Sequence, residues 1–186
     1  MTEAIWIVAR ASGAASLVAL TLAMLTGMAL RGGIFGWLAN NRAIRTIHDF
    51  TTLLWLPLAF AHVLALLLDS YARLGLLDVF VPFLVPYARL EIGLGTISLE
   101  LVLVVVVSTA FRRRMSYEWW LALHWLSYPA FLAAFAHTIL AGTDFARTPL
   151  TVIAWIGFAA LCAAGIRRLA AGARAGARGL ERLRAA

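Results

Sequence analysis

The sequence has little charge, one cysteine, four histidines and no lysine. Only 13% of its 186 residues are charged and 63% are hydrophobic, and the mean hydropathy is +0.88. A water-soluble domain has roughly half its residues apolar and about a quarter charged. The scarcity of charge therefore excludes a soluble globular domain for most of the chain and indicates that the lipid bilayer is its solvent.

The single cysteine, Cys162, lies inside an apolar run. One cysteine excludes a disulfide framework and a cysteine-based metal site. The isoelectric point near 11 is a feature of many nucleic-acid-binding proteins. The distribution of the arginines across the predicted membrane accounts for it better, so we expect no nucleic-acid partner.

Five apolar segments are long enough to cross a membrane, since a hydrocarbon core of roughly 30 Å needs about 20 residues of helix. They cover about residues 4–30, 45–69, 92–111, 117–141 and 148–167. The sequence thus predicts an all-α integral membrane bundle of five transmembrane helices. We expect one domain over residues 1–186, in which residues 168–186 form a basic cytoplasmic tail.

The arginines predict the orientation, because cytoplasmic loops carry the excess of positive charge. Twelve arginines fall on one side of the predicted membrane and three on the other. The N-terminus is therefore predicted outside and the C-terminus in the cytoplasm of a multi-pass protein of the plasma or inner membrane. The outer loop 70–91 is too apolar to extend into water, and we expect it to fold back over the bundle as a cap.

All four histidines lie on the second and fourth spans, which both run outward. His48 and His62 are 14 residues apart, and His124 and His137 are 13 apart. At about 1.5 Å per residue both separations are near 20 Å. The histidines can thus form two pairs at two depths. Two imidazoles facing each other across a gap suit a six-coordinate haem iron, with His48 and His124 on the inner iron and His62 and His137 on the outer one.

Two haem-free roles for the histidines stay open. An intramembrane histidine can be a hydrogen-bonded structural residue or a member of a proton path. Zinc is disfavoured, because its ligands would be clustered rather than about 20 Å apart.

The interval of 13 residues does not place His124 and His137 on one face of a straight helix. At about 100° per residue, 14 residues leave the first two histidines on one face, whereas 13 residues leave the other two roughly 140° apart. Pro129 lies between His124 and His137, and Pro57 between the other pair. Either a proline kink re-aims half of the fourth span, or the two haems lie at different angles around the bundle.

Two glycines on the first span are also candidate cofactor-binding residues. Gly13 and Gly27 are 14 residues apart, at depths that match the two histidine layers. Glycine permits close approach to a flat macrocycle, and Gly95 on the third span could serve the outer layer similarly. The alternative is close packing of helices through small residues.

With these features the chain resembles the ferric-reductase-like transmembrane family over about residues 4–168. That family includes ferric reductases, NADPH oxidases and the haem membrane subunit of the bacterial methionine sulfoxide reductase system. The resemblance rests on His48-x13-His62, on His124-x12-His137 and on the phrases GLLDVFVPF, RRRMSYEWW and AGTDF. It implies two bis-histidine haems of the b type and electron transfer across the membrane, carried over to those four histidines only; no catalytic residue is assigned.

The chain departs from that family in two respects. It has five predicted spans rather than six, and about 18 residues follow the last span without a GxGxxG motif for a flavin or nicotinamide domain. We therefore expect the membrane subunit of an oxidoreductase that exchanges electrons with a separate redox protein or the quinone pool, a quinone being a further candidate cofactor. The alternatives are a quinol-linked haem subunit that feeds an external methionine sulfoxide reductase-type enzyme, and a haem-free membrane anchor or proton-linked transport subunit.

Several other side chains carry weaker expectations. Arginines on the cytoplasmic side either partner the inner haem propionates or only determine the topology. Glu100 is expected to be neutral or paired with Arg10, the alternative being a proton relay to an outer site. Trp119 and Trp120 are expected in the interfacial belt, and Trp125 against the inner porphyrin. The candidate propionate partners are Arg42, Arg45 and Arg112 to Arg114 at the inner face, and Arg73 and Arg89 at the outer face.

Overall fold

The computed structural model describes residues 3–30, 41–146 and 149–184, and within those ranges it contains helices, turns and bends but no strands. The all-α prediction is therefore confirmed. The α-helices are α1 (Glu3–Leu30), α2 (Arg42–Leu68), α3 (Leu76–Phe80), α4 (Arg89–Ala110), α5 (Tyr117–His124), α6 (Ser127–Ala141) and α7 (Leu150–Arg184).

Four described helices are long and apolar enough to cross a membrane: α1, α2, α4 and the part of α7 from Leu150 to Arg168. The segment predicted as the fourth span is divided into the two shorter helices α5 and α6. The described chain thus has four unbroken candidate spans and one broken segment. Few side chains of these spans are buried inside the protein, as expected of helices whose outer faces meet lipid.

Proline explains the break between α5 and α6. Pro129 has no N–H, so it cannot donate to the carbonyl of Trp125 four residues earlier. The Tyr128 N–H donates to that carbonyl instead at 3.1 Å, and the Leu126 N–H donates to Leu123 at 3.1 Å. These tighter three-residue turns change the winding between His124 and His137. The proposed role of Pro129 in re-aiming the span is consistent with this geometry, whereas α2 continues unbroken through Pro57.

The helices pack as two pairs. α1 lies along α2, and α4 lies along α6, while contact between α2 and α6, which bear His62 and His137, is slight. Ser98 of α4 donates a hydrogen bond to the Ala130 carbonyl of α6 at 2.9 Å, and both residues are buried. α7 packs loosely on α1, where Leu161 is buried. α1 also contacts α6 directly, so the slot that remains lies between α2 and the α5–α6 segment.

The loop between α2 and α4 folds back on the bundle, as the sequence predicts for an apolar cap. Val85 in this loop is 2% exposed, and the Thr96 hydroxyl of α4 donates to the Asp78 carbonyl at 3.2 Å. Phe83 has a φ of 64° and packs on Gly93 so closely that a Cβ there would lie 2.2 Å from its ring. The cap is thus fixed to α4, the helix that faces His137.

Candidate functional site

The structure brings the four histidines together as two pairs. The ring centres of His48 and His124 are 6.4 Å apart with planes at 67°. Those of His62 and His137 are 6.2 Å apart with planes at 77°. The two pairs are called the inner and the outer pair after the predicted orientation. The unequal spacings of 14 and 13 residues therefore produce nearly equal gaps across the slot.

Three of the imidazoles are oriented by backbone carbonyls of the neighbouring helix. Nδ1 lies 2.9 Å from the Ala23 carbonyl in His48 and 2.7 Å from the Ala9 carbonyl in His62. Nδ1 of His137 lies 2.7 Å from the Glu91 carbonyl of α4. A carbonyl can only accept, so each Nδ1 carries the proton, and Nε2 keeps the lone pair that a metal would bind.

Each of these carbonyls lies four residues before a glycine: Ala9 before Gly13, Ala23 before Gly27, and Glu91 before Gly95. A Cβ at the three glycines would lie 2.8 to 3.0 Å from the ring of the histidine that bonds the carbonyl. The missing side chain is thus what lets each imidazole reach the helix backbone. Gly13 and Gly27, predicted to lie near a cofactor, are placed here directly against the imidazoles.

His124 is positioned differently from the other three histidines. Its ring stacks on Trp120, with ring centres 5.0 Å apart and planes at 27°. The Trp120 indole N–H donates to the Thr109 hydroxyl of α4 at 3.3 Å. Trp120 therefore contacts a site histidine in addition to any role at the membrane interface, whereas Trp119 is 70% exposed.

Each histidine pair lines one cavity. The outer cavity has a volume of about 470 Å³ and is bounded by both His62 and His137, together with Gly13 and Gly95. The surface of its lining is mainly apolar, with polar side chains among the lining residues, which is the usual composition of a site for a large organic ligand.

The inner cavity is smaller, with a volume of about 80 Å³, and is bounded by His48, His124 and Gly27. Arg168 of α7 also lines it. The Arg168 guanidinium donates to the Tyr128 hydroxyl at 2.8 Å and lies 5.3 Å from the centre of the Trp125 ring. A cation therefore stands at the wall of the inner cavity.

The outer end of the bundle holds an ion pair. Arg10 of α1 donates from Nε to Asp144 at 2.6 Å, which links α1 to the turn that follows α6. The partner of Arg10 is thus Asp144 and not Glu100. Both Arg10 and Asp144 line the outer cavity, as does Asp69 at the end of α2.

The gaps between the imidazoles suit a bound metal. Two metal–imidazole bonds of about 2.0 Å, plus about 1.1 Å from each ring centre to its nitrogen, require centres roughly 6.2 Å apart. No group of three or more His, Cys, Asp or Glu side chains in the described ranges could hold a metal ion. A metal in either gap would therefore take its other ligands from a non-protein group, such as the planar ring of a haem.

Residues 12–135 match the family described as ferric reductase like transmembrane component. The chain belongs to this family. The match includes His48, His62 and His124 and ends two residues before His137. No curated protein and no solved structure matches the chain. As a ferric-reductase-like protein with apolar helices of membrane-spanning length, it is a multi-pass membrane protein of a redox family.

The structure adds residues that the sequence did not single out. Arg168 lines the inner cavity, whereas the arginines that were expected to bind the inner propionates do not. Of the outer arginines, neither Arg73 nor Arg89 lines the outer cavity. Arg168 is one of many arginines near the predicted tail, so no sequence pattern distinguishes it. The carbonyl acceptors could have been found from the glycines, since they occupy the position four residues earlier.

Proposed function

We propose that this protein transfers electrons across the membrane through two haems of the b type. His48 and His124 would bind the inner haem iron, and His62 and His137 the outer one. The observation that carries the proposal is the pair of matched gaps, 6.4 Å and 6.2 Å between ring centres. Each gap opens into a cavity bounded by both of its histidines, and the family is a redox family.

Backbone carbonyls orient three of the four histidines for this role. The carbonyls of Ala23, Ala9 and Glu91 hold the Nδ1 protons of His48, His62 and His137. Such bonds fix the tautomer and the ring orientation and make the opposite nitrogen a better ligand. The glycines keep the rings close to the helix backbone, so the imidazoles cannot swing out of the slot without losing these bonds.

A haem supplies one-electron redox chemistry, and the protein sets its potential through the axial ligands, hydrogen bonding and burial. The apolar side chains around both gaps would limit the access of water to a haem held by the histidines. Arg168 is placed to compensate a carboxylate at the inner cavity, and its contacts with Tyr128 and Trp125 hold the guanidinium there. The two layers are about 20 Å apart along α2, since 14 residues rise about 21 Å.

Haem content and histidine pairing test the proposal together. Protein purified after haem-replete expression is expected to contain two b-type haems per chain by the pyridine haemochrome assay. Each single histidine-to-alanine variant is expected to retain one haem. The double variant H62A/H137A is also expected to retain one, because both changes affect the same site, whereas H48A/H62A is expected to retain none.

A lipid-facing residue provides the control. Phe60 is two residues from His62 and 68% exposed, so F60A is expected to keep both haems. Colourless protein from haem-replete cells would contradict the proposal and favour a haem-free anchor or transport subunit. A loss of both haems in H62A/H137A, with one retained in H48A/H62A, would show that the pairing is wrong.

The proposal also includes a redox partner, which the family suggests. We propose that the electrons are exchanged with a separate redox protein or with the quinone pool. Co-purification of a soluble reductase of methionine sulfoxide would favour the narrower role of feeding an external repair enzyme. Reduction of the haems by quinol in the absence of any soluble protein would favour direct exchange with the quinone pool.

A further inference from the structure

The walls of the two cavities differ in charge. Apart from its histidines, the inner cavity has one charged side chain in its described lining, the cation Arg168. The lining of the outer cavity contains one cation, Arg10, and three carboxylates, those of Asp69, Glu91 and Asp144. Arg10 is paired with Asp144, so no cation in the described lining offsets Asp69 and Glu91.

Asp69 and Glu91 both lie close to the outer histidine pair. The backbone carbonyl of Glu91 accepts the bond from Nδ1 of His137 at 2.7 Å, and the residue is partly buried. Asp69 lies seven residues after His62, about two helical turns further out on the same face, and it is 3% exposed. Buried charges of this kind are screened by salt much less than surface charges are.

The other charges at the two ends of the bundle differ in the same sense. At the inner end the described side chains include seven arginines, at the start of α2, in the turn 112–114 and on the inner part of α7, against the two carboxylates Asp49 and Glu118. At the outer end three described arginines stand against five carboxylates. Glu100 lies midway along α4 and favours neither end. The outer pair therefore lies in the more negative environment.

Tyr87 lies in the negative field of the outer carboxylates. It lines the outer cavity and belongs to the loop between α2 and α4. Burial raises the pKa of its hydroxyl, the carboxylates of Asp78 and Asp69 raise this pKa further, and Arg73 lowers it. The hydroxyl therefore stays protonated and adds no charge, and the carboxylates outweigh the arginine at this position.

Charge near a haem changes its midpoint potential, because the ferric form carries one more positive charge than the ferrous form. Negative groups stabilise the ferric form and lower the potential, whereas cations raise it. At an effective dielectric constant of about 20, one charge at about 10 Å changes a one-electron equilibrium roughly tenfold, which corresponds to 59 mV. Two haems of one type, each with two histidines, would thus differ in potential because of their surroundings.

We propose that the carboxylates of Glu91 and Asp69 hold the outer haem at a lower midpoint potential than the inner haem. One electron then passes spontaneously from ferrous iron at the outer site to ferric iron at the inner site, without a change in bonds or protons. This inference rests on the proposed function, because it compares two haems held by the two histidine pairs. It adds the order of their potentials and hence the site at which an electron settles.

Variants that keep a single haem assign the two potentials. H62A/H137A is expected to retain the inner haem, and H48A/H124A the outer one. Redox titration of both proteins is expected to give the lower midpoint potential for the outer haem, by at least tenfold in the one-electron equilibrium or 59 mV. Equal potentials, or a lower potential at the inner haem, would overturn the inference and leave the proposed function intact. Colourless wild-type protein would contradict the proposed function itself.

Glu91→Gln tests the carboxylate without removing the carbonyl that bonds His137. With both haems bound, E91Q is expected to raise the potential of the outer haem by three- to tenfold in the one-electron equilibrium and to leave the inner haem unchanged. Glu91→Asp retains the charge and is expected to retain the low potential. Asp69→Asn keeps an oxygen for the Tyr71 N–H, which Asp69 bonds at 3.0 Å, and is expected to shift the outer potential in the same direction.

Glu3→Gln is the matched control. Glu3 is an exposed carboxylate at the same end of the bundle and does not line the outer cavity. Because water and salt screen it, E3Q is expected to leave both potentials unchanged. Equal outer-haem potentials in E91Q, D69N and the wild type would overturn the inference. An equal shift in E3Q and E91Q would also overturn it, because surface charge rather than the cavity wall would then determine the potential.

Discussion

The imidazole of His62 lies directly against Gly13: a Cβ at that glycine would be 2.8 Å from Nδ1. The same imidazole reaches the Ala9 carbonyl at 2.7 Å, one helical turn earlier. The glycine and the hydrogen bond are therefore parts of one arrangement, which recurs for Gly27 with His48 and for Gly95 with His137.

Gly13→Ala is expected to weaken the outer haem site selectively. The new methyl group would displace the His62 ring and break its bond to Ala9, a loss of about 1 kcal/mol, or roughly fivefold in haem affinity. Titration of the apoprotein with haem measures this change. Gly165→Ala is the control, because a Cβ there meets nothing within 4 Å. Equal affinities of G13A and G165A would show that the glycine has no role in orienting the ring.

Pro129→Ala is expected to remove the inner haem. Alanine restores the N–H that can bond the Trp125 carbonyl, so α5 and α6 would join into one helix. α6 is anchored to α4 by Ser98, so α5 would rotate and turn His124 away from His48. The haem-to-protein ratio is expected to fall from two to one while thermal stability is maintained. Pro57→Ala, in the unbroken helix α2, is the control and is expected to keep both haems. A haem-to-protein ratio of two in P129A would show that the break between α5 and α6 does not direct His124 towards His48.

Trp120→Leu is expected to change the midpoint potential of the inner haem alone. It removes the ring that stacks on His124 and the bond to Thr109, so the imidazole can rotate. A tenfold change in a one-electron equilibrium is 59 mV, and we expect a shift of about 20 to 60 mV in one of the two midpoint potentials. Redox titration with electron paramagnetic resonance resolves the two haems. The exposed neighbour Trp119 serves as control, and equal spectra of W120L and W119L would exclude a positioning role.

Arg168→Gln is expected to weaken the inner haem. The guanidinium lines the inner cavity, and losing a charge-assisted hydrogen bond to a carboxylate costs about 1.5–3 kcal/mol. Haem affinity of the inner site is therefore expected to fall roughly 10- to 150-fold. Arg168→Lys should retain part of the wild-type haem affinity. Arg167→Gln, which alters an exposed neighbour, should retain all of it. An unchanged haem affinity of the inner site in R168Q would show that a group other than Arg168 compensates the haem carboxylates.

The sequence predicted the helical class, the unbroken helices and the pairing of the histidines. Long apolar segments and residue intervals along a helix determine these features, and both can be read from one chain. The interval of 13 between His124 and His137 also pointed to Pro129, and the helix is broken just before that residue.

Contacts between distant segments could not be predicted in the same way. The bonds from Nδ1 to Ala9, Ala23 and Glu91 depend on how helices lie beside one another. The glycine four residues later marks each acceptor only once it is known which histidine packs on that glycine. The placement of Arg168 depends likewise on α7 packing against the bundle. Glu100 was expected to be neutral or paired with Arg10. Arg10 bonds Asp144 instead, because the turn after α6 returns to the outer end of α1.

The slight contact between α2 and α6 has a consequence for biogenesis. A haem bound between the histidines, as proposed, would add to the direct packing of α1 on α6 in holding the two helix pairs together, since a ligand that binds only the folded state stabilises it by mass action. Under that proposal, chains synthesised in a cell starved of iron would lack this added stabilisation and would be more readily degraded by membrane proteases. The abundance of this protein would then follow porphyrin supply even at constant transcription.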